Sequence, residues 1–281
     1  MSCLAGVSAL ITWATSGIGR AAALELSALG AQVALMARGR AALRATGLAV
    51  AERGGTAVEI VEDVTDPASV RAAVEHAAAV FGSLDIVVNS AGTAALGPFA
   101  DGTAQQWQAM VETNLLGALY TAGAAVEHLK AAAAGPRRTA DLITIGSVAR
   151  HAAKAGTGVY AATKSAVASW SEGLRQELEP HGVRVAVIEP GLVDTALTAG
   201  LPRGPCGAHR AGRCRRHRLH GHPAPAPCRH AGRSPAYGHG PLSVVGPRPG
   251  VARQPRRRHL YRRNARPGCT GLGRRARPLP S

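Results

Sequence analysis

Residues 6–29 read GVSALITWATSGIGRAAALELSAL. Residues 6–12 form a short, nearly continuous apolar run, as expected of a strand covered on both faces. TWATSGIG (12–19) follows directly, and then an Ala- and Leu-rich stretch with helical spacing over 19–29. Strand, glycine turn and helix in immediate succession open a βαβ unit. Glycines let such a turn bring its backbone close to a pyrophosphate, where free N–H groups and the helix dipole favour an anion.

Outward from that stretch the pattern repeats. Apolar or β-branched runs at 32–37, 57–61, 84–89, 141–146 and 183–188 predict five further strands. Helical spacing over 40–53, 68–81, 103–134 and 159–180 predicts the segments between them. This alternation predicts an α/β fold, a Rossmann-like doubly wound parallel sheet with helices on both faces, whose ligands bind beyond the carboxyl ends of the strands.

The chemistry-bearing residues gather at those ends. Tyr160 and Lys164, in YAATK, sit four apart on one helix face, where a nearby ammonium is expected to lower the phenol pKa and make Tyr160 a usable acid/base. Ser147 closes the strand in ITIGS, and its hydroxyl can hydrogen-bond a carbonyl oxygen. NSAG (89–92) ends the fourth strand, Asn114 lies on the next long helical stretch, and EPGLVDT (189–195) follows the sixth strand.

With these five motifs in order, the chain resembles the short-chain dehydrogenase/reductase family over about residues 4–200. The resemblance implies an NAD(P)-dependent oxidoreductase acting on a small alcohol or carbonyl compound. Tyr160 would be the proton donor or acceptor and Ser147 the orienter of the substrate oxygen. Lys164 would hold the nicotinamide ribose and tune Tyr160, and Asn114 would support a proton-relay water. The dinucleotide would lie along Thr12, Ser16, Gly17, Ile18 and Gly19, with Asp63 and Val64 at the adenine. Asn89 would brace the sheet beside Ala91 and Gly92, and Pro190, Gly191, Val193 and Thr195 would meet the carboxamide side. Helix pairing in the family implies a homodimer or homotetramer for a chain with an intact C-terminus. Strand two ends QVALMARGR (32–40), with Arg38 and Arg40 and no acid, so NADP(H) is expected over NAD(H), which stays possible.

Two features depart from the family pattern. Trp13 stands where the glycine turn should begin with a glycine, which predicts backbone strain and a badly weakened cofactor site. Composition also changes abruptly near Leu201. Residues 1–200 carry 14 Lys+Arg against 17 Asp+Glu, whereas 201–281 carry 19 arginines and no acid, with 13 of the 18 prolines. Such a segment is expected to be disordered, because it has little apolar bulk to offset ordering entropy. Its Arg/Pro/Gly/His bias also fits an out-of-frame reading of GC-rich DNA. The expected organisation is therefore a catalytic domain over 1–200, C-terminally incomplete, and a tail over 201–281.

Other classes fare less well. The overall charge of +16 resides in the tail, so nonspecific polyanion binding is expected there and sequence-specific nucleic-acid recognition is not. His209, Cys214, His217, His220, His222 and Cys228 match no zinc spacing, and no metal is expected. No stretch predicts export or a membrane span, which leaves the cytoplasm as the expected location. A catalytically impaired protein of the same fold is the main alternative to an active enzyme.

Overall fold

A computed structural model describes residues 3–199 and the backbone of residues 209–210. Six parallel strands form one sheet: β1 (Ser8–Thr12), β2 (Gln32–Ala37), β3 (Ala57–Val61), β4 (Ile86–Asn89), β5 (Ala140–Ile145) and β6 (Val183–Ile188). Their order is β3-β2-β1-β4-β5-β6. The strand order reverses between β1 and β4, which opens a crevice at the carboxyl ends of the neighbouring strands. The Rossmann-like sheet expected from the alternating pattern is the one observed.

The helices are α1 (Gly17–Ala28), α2 (Arg40–Ala51), α3 (Pro67–Phe81), α4 (Ala104–Val111), α5 (Gly117–Ala134) and α6 (Gly158–Leu178). Local chemistry sets several ends. The Asp66 side chain caps α3 by accepting from the Ala68 amide, with Pro67 at the first helical position and Gly82 at φ +76° closing the helix. Thr103 and Gln106 form a reciprocal capping box on α4.

Two apolar layers flank the sheet. Ala23, Leu24, Leu43 and Val50 from α1 and α2 pack on Ala9, Ile11, Val33 and Leu35. On the opposite face Val70, Val74, Ala125, Leu129 and Leu178, from α3, α5 and α6, pack on Leu10, Met36, Leu142 and Val185. The odd and even residues of each strand thus serve different layers.

Three differences from the sequence reading matter. The single helix expected over 103–134 is interrupted by a π-helical turn, Glu112–Leu116, that carries Asn114. Gly117 then permits close approach to the third strand's loop, since a Cβ there would lie 3.0 Å from Val64 Cγ2. Second, β6 has β5 as its sole partner among the described residues. Ile143, Ala186 and Ile188, on the α1–α2 face, stay partly exposed, and α5 and α6 pack against β5 and β6 from the other side. Third, β7 (Val193–Asp194) pairs in parallel with β8 (His209–Arg210), two short strands that the sequence reading did not include. The expected disorder and altered reading frame of 201–281, and its candidate ligands other than the His209 backbone, lie outside the described residues. Among the described residues no helix is long and apolar enough to cross a membrane, and no metal-binding cluster occurs.

Candidate active site and cofactor groove

The loops after β1, β4, β5 and β6 converge on a cavity of about 250 Å³. Ser16, Gly17 and Ile18 line it from the glycine turn, Gly92 from the loop after β4, Ser147 from the loop after β5, and Tyr160 and Lys164 from the start of α6. Pro190, Gly191, Val193 and Thr195 close it from the loop after β6. Ser90, Thr93, Gly146 and Leu197 also line it. The first three lay inside or beside the quoted motifs, while Leu197 gave no signal of its own.

The turn is shaped for backbone approach. Gly17 adopts φ +53°, and a Cβ on Gly19 would meet the Trp13 carbonyl oxygen at 2.4 Å. Only glycine fits there without rearrangement. Ser16, the N-cap of α1, makes no side-chain capping bond, and the first turn holds no acid, so the amide end of α1 faces the cavity free of a competing carboxylate.

Several predicted residues stand behind these walls. Thr12 is buried, and its Oγ1 accepts from the Ser90 and Ala91 amides at 3.0 and 3.1 Å, tying β1 to the loop after β4. Asn89 Nδ2 donates to the Ala118 carbonyl at 3.2 Å, bracing β4 against α5. Asn114 Nδ2 donates to the Thr93 carbonyl at 2.9 Å and to Thr163 Oγ1 at 3.0 Å, and Oδ1 accepts from the Thr93 amide at 2.7 Å. Asn114 therefore locks the loop after β4 to α6, with Thr163 as a partner the sequence reading did not single out.

Across the cavity, Ser147 Oγ accepts from the Ala149 amide at 3.1 Å and shares a hydrogen bond with the Tyr160 side chain. Lys164 is 4 % exposed, and its Nζ donates to the Ile145 carbonyl at 2.7 Å. Burial lowers the Lys164 ammonium to about 8. Burial likewise pushes the Tyr160 phenol above its ordinary value, with the Ser147 bond pulling partly back. The lowering of Tyr160 expected from the i, i+4 lysine is thus corrected. Lys164 Nζ lies 5.9 Å from the phenol ring centroid and spends a hydrogen bond on a backbone carbonyl, so desolvation outweighs attraction.

Arg38, Asp63 and Val64 line a second cavity of about 330 Å³, together with Thr15 and Glu62. Arg38 Nη1 lies 3.5 Å from Asp63 Oδ2, and the guanidinium carbon lies 5.8 Å from the Trp13 ring centroid. Arg40 begins α2 and is not among the residues lining this cavity. Trp13 itself holds φ +56°, the left-handed region that a glycine occupies freely and a tryptophan does not.

A profile of the short chain dehydrogenase family matches residues 8–204. An uncharacterised oxidoreductase of Staphylococcus aureus is 37 % identical over 200 residues, covering 71 % of this chain and 83 % of that one. Among solved structures, a Burkholderia cenocepacia short chain dehydrogenase in complex with NADP is 31 % identical at TM-score 0.69, covering 75 % of this chain and 87 % of that one. A Brucella melitensis 3-ketoacyl-(acyl-carrier-protein) reductase complexed with NADH is 27 % identical at TM-score 0.65, covering 69 % and 79 %. The chain belongs to the short-chain dehydrogenase/reductase family, and is by that membership an NAD(P)-dependent oxidoreductase.

Proposed function

We propose that the chain reduces small carbonyl compounds, or oxidises the matching alcohols, with NADP(H) as the preferred cofactor and NAD(H) as the lesser one. The convergence of Ser147, Tyr160 and buried Lys164 on one cavity carries this reading. The residues fit a nicotinamide dinucleotide in the catalytic half: the Gly17 and Gly19 cradle, the open amide end of α1, and a buried ammonium that can donate to ribose hydroxyls. When bound, the nicotinamide supplies or accepts the hydride.

The chain's own residues do the rest. Ser147 Oγ donates to the substrate oxygen and holds the reacting carbon in place. Tyr160 gives the proton to that oxygen in reduction and takes it back in oxidation. Lys164 places a positive charge 5.9 Å from the phenol ring, which offsets part of the burial penalty on the phenolate. Asn114 holds the β4 loop and α6 in register, and its position on the π-helical turn is suited to support a relay water. Among the described residues Arg38 is the sole cation lining the second cavity, and it suits a 2′-phosphate, which supports NADP(H). The NADP-bound Burkholderia relative is consistent with that preference. Cytoplasmic location and subunit pairing through α5 and α6 belong to the same reading.

One observation favours a second reading, an oxidoreductase fold with impaired catalysis: Trp13 at φ +56° on the rim of the groove. The test is NADPH oxidation followed against a panel of small ketones and aldehydes, with Tyr160→Phe alongside. The expected result is turnover that falls about 10²–10⁴-fold in Tyr160→Phe. Turnover equal in both proteins would sink the assignment of Tyr160, and none with any carbonyl would leave the impaired reading standing.

A further inference from the structure

Among the described residues the two cavities have one lining residue in common, Trp13. On the near side the glycine turn and the catalytic residues surround about 250 Å³. On the far side Arg38 and Asp63 border about 330 Å³. The indole is held towards the far side by the Arg38 guanidinium 5.8 Å from its ring centroid, and that guanidinium is in turn held 3.5 Å from Asp63. Trp13 thus borders both cavities, with its ring latched to Arg38. Because the Trp13 backbone is already in the left-handed region, swinging the side chain aside leaves the strain in place.

We propose that Trp13 partitions the cofactor groove, so that this chain takes mononucleotide-sized ligands separately in each compartment and binds a continuous dinucleotide poorly. The near compartment suits a nicotinamide ribose phosphate, whose phosphate meets the amide end of α1 and whose ribose meets Lys164. The far compartment suits an adenosine phosphate, in which Arg38 must exchange Asp63 for the anion. A dinucleotide fills both compartments at once, and its pyrophosphate must pass the turn where the indole stands. Opening that passage displaces the indole, while either half-ligand leaves the indole in place. The proposal rests on the cofactor reading given above and adds a size limit on what the groove admits.

Calorimetric titration of the full chain and of its Trp13→Gly variant with NADPH, nicotinamide mononucleotide and 2′,5′-ADP tests it. Glycine is at ease at φ +56°, so the variant is expected to fold at least as well as the parent. The expected result is NADPH binding at least 10-fold tighter in Trp13→Gly, with the Kd of each half-ligand unchanged within threefold. Equal NADPH affinity in the two proteins overturns the partition, as does tightening of the half-ligands in parallel with NADPH. Failure of NADPH to bind either protein overturns the partition and the cofactor reading together. Tight NADPH binding in Trp13→Gly without carbonyl turnover leaves the partition standing and sinks the oxidoreductase reading alone. A Trp13→Ala variant separates the two effects of the residue: it removes the wall but keeps a Cβ at positive φ, so it is expected to match Trp13→Gly in NADPH affinity and fall below it in thermal stability.

Discussion

Lys164 shows how one side chain stores a cost for later use. Its ammonium is almost fully buried, and its pKa of about 8 lies below the ordinary 10.5. In the pH window between those values the unfolded chain binds a proton that the folded chain has released, so stability rises with pH across it. Below about pH 8 both states are protonated and the full penalty applies, on the order of 3 kcal/mol at about 1.4 kcal/mol per pKa unit. Denaturant titrations of the parent and Lys164→Met between pH 7.5 and 10.5 check this. The stability of the parent relative to the variant should rise over that range, and a flat difference would mean that burial does not govern the lysine.

Elements that carry site residues are tied together by charges outside the site. The loop after β6 begins at Glu189, whose carboxylate bonds Arg150 Nε and, at 2.8 Å, His151 Nε2. Both partners follow Ser147 in the loop after β5, so this cluster couples the serine to the Pro190–Thr195 wall. Burial raises the Glu189 pKa, but the Arg150 and His151 bonds outweigh it and hold the carboxyl below its usual 4.5. A depressed carboxylate contributes stability above the unfolded pKa and loses it as pH falls through the folded one. Glu189→Gln should therefore lower stability by about 1–3 kcal/mol near neutral pH. The gap from the parent should close as pH falls below 4.5, read as converging urea midpoints.

At the scale of the whole molecule, the sheet is unevenly protected. The central strands β1 and β4 are buried on both faces and paired on both sides. β6 has a single partner among the described residues and one half-open face, with exposed Arg184 as its outward charge. An unpaired strand edge is a template for association, and one charge blunts it weakly. Native-state hydrogen exchange should show the slowest amides on β1 and β4 and markedly faster exchange at every second amide of β6. Protection of all β6 amides to the level of β1 would show that another strand covers that edge.

The sequence by itself determined the strand–helix alternation, the glycine turn before α1, and the residues at the strand ends. These are local signals: periodicity, caps and contiguous motifs need no knowledge of what folds against them. It also flagged Trp13, because a glycine-requiring turn is a local demand, and the left-handed φ of Trp13 bears out the backbone part of that expectation. Only the tertiary structure decided how the partners meet. Thr163 on Asn114, Glu189 between Arg150 and His151, and Lys164 on the Ile145 carbonyl join residues from 19 to 49 positions apart. The direction of the Tyr160 shift was misread for the same reason. The i, i+4 spacing gives the distance to an ammonium, whereas desolvation depends on everything the fold packs around the phenol. That Trp13 borders two cavities was illegible too, since it depends on the end of β2 bringing Arg38 to the indole face.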